Sequence, residues 1–212
     1  MSRATLIVSL LTVALAWSCQ EQGTEGGEDT APVDTAATEP AAAEPAPGTA
    51  EAKIAEAESA APPEIAHDAT IMDWAMEEGA EPVQLRAGTN GWTCFPSTPN
   101  PTGAVGQDPM CLDGEWMKWA QAWMSKTDPD VSAVGIGYML QGDRGASNTD
   151  PFATEQTADN QWVQAGPHLM VIAPDPAQLA AITTDPANGG PWVMWASTPY
   201  AHVMVPVETG GE

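Results

Sequence analysis

The chain has 212 residues, and its 29 acidic against 6 basic residues give a formal net charge of -23. That balance argues against nucleic acid as a partner, because phosphate binding needs clustered Lys and Arg, and equally against adsorption to an anionic membrane surface. The length holds one ordinary domain or a smaller domain with unstructured additions, and the composition along the chain points to the second.

Residues 1–19 open with Met-Ser-Arg and continue as the apolar run ATLIVSLLTVALAW, too short to span a bilayer comfortably and built as a secretory signal. The run ends in Ala16, Trp17, Ser18 and Cys19, which resembles the bacterial lipoprotein processing site, where a small residue precedes a cysteine that becomes lipidated. Ala14-x-Ala16 offers an ordinary signal peptidase a second cut, so simple secretion stays open beside lipidation of Cys19. Cysteine parity bears on the choice. With three cysteines in all, lipidating or removing Cys19 leaves Cys94 and Cys111 to pair, as an oxidising compartment favours. Such a bridge would close a loop of about 17 residues, worth roughly 3 kcal/mol in the chain-entropy model. A catalytic or metal-binding cysteine in GWTCFP is the alternative.

From 20 to 63 the chain is almost entirely Ala, Glu, Pro, Thr and Gly, and its few apolar residues do not offset the entropy of ordering it. It reads as a disordered acidic tether, on the order of 35–40 Å end to end, with AEAKIAEAES at 50–59 able to form a fraying helix by propensity alone. The composition shifts near Ile65. Residues 64–208 read as the globular domain and 209–212 as a disordered tail. Within the domain, EIAHDATIMDW predicts a strand or short helix, and VQLRAG a strand by alternation of Val83 and Leu85. Thr89-Asn90-Gly91 is a turn signal.

The spacing then predicts a helix over GEWMKWAQAWMSK, with Asp113 as N-cap, Trp116, Trp119 and Trp123 on one side and Met117, Ala120 and Met124 beside them. An apolar arc that wide must be largely covered. VGIGYMLQG, HLMVIAP and HVMVPV are strand candidates, Ala177 to Ile182 a short helix, and the polar stretch from Asp143 to Asn160 a long loop of the kind that is often functional. Few helices, short strands and many Pro-Gly turns give an α+β class, with one principal Trp-rich helix on a small, mainly antiparallel sheet, long loops and one disulfide.

The strings TNGWTC, PMCLD, GYMLQG, SNTDP, GPHLM, GGPWVMW and TPYAHVMVPV together resemble a domain of exported bacterial proteins without an assigned activity. The resemblance implies one folded unit from about His67 to Val207 and carries over no catalytic or binding residue.

The chemistry-bearing candidates divide three ways. His168-x-Met170 and His202-x-Met204 repeat one pattern inside strand-like runs, so on neighbouring strands two imidazoles and two thioethers would converge, a soft-ligand set suited to copper(I). His-x-Met is similar to a motif of periplasmic copper chaperones, though Met170 and Met204 also serve as core fillers. Trp192, Trp195 and Tyr200, beside Gly189-Gly190-Pro191, are candidates for binding a small-molecule ligand or a protein partner. Nucleophilic hydrolysis lacks any G-x-S-x-G, zinc proteolysis lacks H-E-x-x-H, and the loop from Asp128 fails as an EF-hand because Ala133 and Met139 occupy the glycine and glutamate positions. The polar loop through Asp143, Ser147, Asn148 and Asp150 offers oxygens to an ion, or simply turns. The leading expectation is a non-enzymatic envelope domain at the outer membrane or cell surface, alternatively periplasmic or secreted, that binds through a groove near 189–200. It would touch the membrane through its lipid alone. Copper binding and an unrecognised hydrolase are the alternatives.

Overall fold

A computed structural model describes residues 45–75, 80–99 and 106–207. The expected signal segment with Cys19, most of the expected tether and the expected C-terminal tail lie outside the described residues.

The fold is α+β. Among the described residues, ten strands form an eight-stranded, mainly antiparallel sheet and a separate two-stranded ribbon. The large sheet runs in the order β2 (Val83–Arg86), β1 (Thr70–Asp73), β3 (Thr93–Phe95), β4 (Met110–Leu112), β5 (Gly135–Met139), β8 (His168–Ile172), β10 (His202–Pro206), β9 (Trp192–Met194). Only β1 and β3 pair in parallel. The ribbon joins β6 (Ala146–Ser147) to β7 (Trp162–Val163) and so closes the base of the long polar loop. Alternation places Gly137, Met170 and Met204 on one face of the sheet, while Tyr138, Val171 and Val203 point to the other.

The first face is covered by α3 (Gly114–Ser125). Asp113 caps it as the sequence predicts: Oδ1 accepts from the N–H groups of Glu115 and Trp116, and Oδ2 from the N–H of Ile136, which ties the helix start to β5. Trp116 and Trp119 are buried among Leu112, Met139, Met170, Ile172 and Met204, and Trp116 Nε1 donates to the carbonyl of Met170 at 3.1 Å. Glycine at 137 allows this packing, because a Cβ there would come within 3.0 Å of Met170 Cε and 3.1 Å of Leu112 Cδ2. The expected apolar arc is narrower than it reads. Trp123 is half-buried and Met124 is 54% exposed, and the buried stripe runs through Trp116, Trp119 and Ala122.

The second face is covered by α1 (Ala50–Glu58) and α2 (Pro63–Ala66), which pack on Ile71 and on the disulfide. Cys94 and Cys111 stand directly opposite each other on β3 and β4 and are bonded and fully buried. Here the expected boundary at residue 64 moves. The 50–59 segment is no fraying helix of a tether: Thr49 Oγ1 caps it, Ala57 and Ala60 are 0% exposed, and Lys53 and Glu58 pair with Asp73 and Arg86. Alanine hides little area by itself but lets a helix lie close against a sheet, so a composition poor in large apolar residues still packs. Over β8, β10 and β9 the same face is closed by the 3₁₀ turn Pro176–Leu179, which overlaps the first half of the short helix predicted over Ala177 to Ile182. No helix among the described residues is long and apolar enough to cross a membrane.

Candidate functional site

One corner of the molecule gathers the aromatic residues, and it is built from α3 outward. Trp119 and Trp123 are one helical turn apart on the same side of α3. The Trp195 indole is stacked on both, with centroids at 5.8 Å from Trp119 and 6.2 Å from Trp123 and planes within 3° and 9°. To reach that position, Trp195 adopts φ +55°, left-handed backbone that a bulky residue rarely takes. The strain is held by three hydrogen bonds: Trp195 Nε1 to the Ser147 carbonyl at 2.6 Å, its N–H to the Asn148 carbonyl, and Thr198 Oγ1 to its own carbonyl. Phe152 continues the column on Trp123 at 6.4 Å and 9°, with Tyr200 edge-on to it at 5.4 Å. Four nearly parallel rings therefore run from the buried core to Phe152, which is 40% exposed.

Buried Asn148 is the hub behind this column. Its Oδ1 accepts from Trp192 Nε1, and its Nδ2 donates to Gln161 Oε1 and the Thr184 carbonyl. Ser147 Oγ accepts from the N–H groups of Thr149 and Asp150. Asp150 Oδ1 accepts from Phe152 N–H, and Trp123 Nε1 donates to the Pro151 carbonyl. Farther out, Asn160 Oδ1 accepts from Thr157 N–H while its Nδ2 donates to the Glu155 carbonyl. The polar loop is thus ordered by its own bonds, as Asx and Ser turns allow. It borders an open depression of about 350 Å³ lined by Phe152 together with Asp150, Glu155, Thr157, Asp159 and Asn160.

No family model matches the chain, and no curated protein and no solved structure matches it. The site is therefore read from its own residues.

Of the residues singled out for ligand binding, Trp192 and Tyr200 are buried and only Trp195 is partly accessible. Trp192 donates to Asn148, and Tyr200 Oη donates to the Thr127 carbonyl at 2.9 Å, so both serve the core. The 189–200 segment presents no aromatic groove of its own. It supplies the wedge, Trp195, that props up the neighbouring loop. Phe152, the ring that does reach the surface, belongs to the polar loop; sequence offers only its place beside Asp150-Pro151 as a signal.

The His-x-Met strands are neighbours, as the pattern requires, and Met170 stands directly opposite Met204. The register sets the histidines apart, however. His168 faces Pro206 and Met139, while His202 faces Met194, at the other end of the β8–β10 ladder. Four residues of strand separate their rows, about 13 Å at Cα, and the two imidazoles do not close on the same methionine pair. Their Nδ1 atoms lie against the carbonyls of Gly166 and Tyr200, two residues back in the chain and just before each strand begins. His67 is exposed at the end of α2, apart from both. Among the described residues, no group of three or more His, Cys, Asp and Glu is placed to hold a metal ion.

His202 is enclosed edge-on by Trp116, Trp119 and Trp195, and burial drives its pKa down to about 4. Burial also lowers that of His168, whose Nε2 has no hydrogen-bond partner among the described residues, and raises that of nearby Asp143. Both imidazoles are therefore neutral at pH 7, held inside the sheet face and away from the depression.

Proposed function

We propose that this chain is an exported, non-enzymatic binding domain, held at a bacterial membrane by a lipid on Cys19, whose recognition surface is the depression of the 149–160 loop. The observation that carries the reading is the exposed Phe152 ring at the outer end of a column rooted in the core. A loop that pays its ordering entropy on folding does not pay it again on binding, so an aromatic ring held in place beside polar groups is prepared to bind. The pairing of Cys94 with Cys111 agrees with folding in an oxidising compartment.

A fragment screen read by amide NMR shifts on the full chain tests the surface. Shifts clustering on residues 149–160 and on the indole N–H of Trp123 are expected. Shifts that gather elsewhere, or that leave Phe152→Ala unaffected, would refute the depression as the binding surface.

A further inference from the structure

We infer that His168, Met139 and Met170 form a copper(I) site under α3, with the imidazole Nε2 and the two thioether sulfurs as its ligands. The site is separate from the surface of the 149–160 loop, and neither reading depends on the other.

His168 is 1% exposed, and its Nδ1 stands 2.7 Å from the Gly166 carbonyl. A carbonyl oxygen only accepts, so the proton of the neutral ring is on Nδ1 and Nε2 carries a bare lone pair. That nitrogen has no hydrogen-bond partner among the described residues. A buried polar group left so costs about 1–3 kcal/mol. An imidazole that donates through one nitrogen to a backbone carbonyl and keeps the other free is also how metal-bound histidines are ordinarily held.

The register brings sulfur to this ring. His168 is directly opposite Met139 on β5, and residues paired in this way share a face, with Cβ atoms about 4.5–5.5 Å apart. Met170 follows two residues along β8 on the same face. Its side chain lies across Gly137, where a Cβ would stand 3.6 Å from Met170 Cβ and 3.0 Å from its Cε. Gly137 in turn is two residues before Met139 on β5, so the bare position at 137 lets Met170 lean toward the strand that carries Met139. All three side chains occupy one patch of the sheet face, within the reach of two flexible thioethers. At 6% and 8% exposure the methionines keep the patch dry. His202, walled by the indoles of Trp116, Trp119 and Trp195, is not part of it.

The donors select the metal. Calcium and magnesium take oxygen, and zinc is bound by Cys, His, Asp and Glu, whereas thioether sulfur with imidazole suits Cu(I). Among the described residues no three of His, Cys, Asp and Glu gather for a harder ion. One carboxylate stands by: Asp143 is near enough that its charge and that of His168 act on each other, which gives a buried monovalent cation its counter-charge. The way in is short, because Gly166, two residues before His168, and Pro206, opposite it on β10, are exposed.

The test takes the full chain with Cys19→Ser, so that no free thiol competes, and titrates Cu(I), kept reduced by ascorbate, against bicinchoninate. Withdrawal of one equivalent of Cu(I) from the chelator is expected, with NMR shifts of the Met139 and Met170 methyls and of the His168 ring. Met139→Leu and Met170→Leu, which keep apolar volume, should each weaken binding at least tenfold, and His202→Asn should leave it unchanged. Failure to hold copper against the chelator overturns the inference, as does undiminished binding by the double leucine variant. Copper that binds while the Met139 and Met170 methyls stay unshifted overturns it as well, and this readout needs no substitution in the core.

Discussion

Single residues in this protein are explained by what surrounds them. Trp195 takes a left-handed backbone and stacks its indole on both Trp119 and Trp123. Trp195→Ala should cost about 3 kcal/mol in urea unfolding, the low end for loss of a packed aromatic because the ring is half-buried, and should loosen Phe152 as well. His202 carries a pH dependence whose sign follows from its burial. Its folded pKa of about 4 lies below the unfolded value of about 6.5, so the unfolded chain binds more protons between those limits. The stability it contributes is complete above pH 6.5 and is lost as pH falls toward 4, on the order of 3 kcal/mol in all. His168 acts in the same direction, and Asp143, whose pKa is raised by burial, in the opposite one. Urea denaturation at pH 7 and pH 5 should show the fall, and His202→Asn, which can still donate to the Tyr200 carbonyl, should flatten it. An unchanged pH profile in that variant would locate the acid sensitivity elsewhere.

At the scale of elements, α1 shows which interactions dominate. Its ion pairs, Lys53 with Asp73 and Glu58 with Arg86, are partly exposed, and pairs of that kind contribute roughly 0–1 kcal/mol each. Its alanines are sealed against the disulfide, where a buried unpaired charge costs several kcal/mol. Ala57→Asp should therefore destabilise the domain severely in thermal melts, while Lys53→Ala should barely be felt; comparable losses would show that the ion pairs hold the helix. Limited proteolysis should leave a resistant fragment that begins N-terminal to Thr49, and a fragment starting near Ile65 would mean that α1 is readily shed. The strands behave more simply. Cys94 and Cys111 pair across β3 and β4, and replacing both by serine should lower stability by about 3 kcal/mol.

Across the whole molecule, charge is the governing quantity. Of the six cations, Arg3 lies outside the described residues, and the other five are all engaged internally: Lys53, Arg86, Lys118 and Arg144 in ion pairs and Lys126 over Phe152. What remains facing water is an excess of unpaired carboxylates. Raising the ionic strength from about 0.01 to about 0.15 M shortens the screening length from about 30 to about 8 Å, so the melting temperature should rise by several degrees as self-repulsion fades. A fall would show that the ion pairs outweigh the repulsion. The attachment proposed through Cys19 is checked by mass spectrometry of the native N-terminus. A mature chain beginning at acylated Cys19 is expected, and one beginning unmodified at Trp17 would mean simple secretion.

Local signals were enough for much of this. The alternation in GIGYM, HLMVI and HVMVP and the Asp113 cap before a tryptophan-rich helix were legible because neighbours in sequence set them. Cysteine parity pointed to the disulfide for the separate reason that setting Cys19 aside leaves a single pair. Tertiary structure alone decided the rest, since it depends on which distant segments meet. The β8–β10 register set the two histidines apart, the close approach of small side chains drew α1 into the domain, and the packing of α3 buried Trp192 and Tyr200. The same packing left Phe152 at the surface, because a stack of rings growing outward from a helix must end where the sheet no longer covers it.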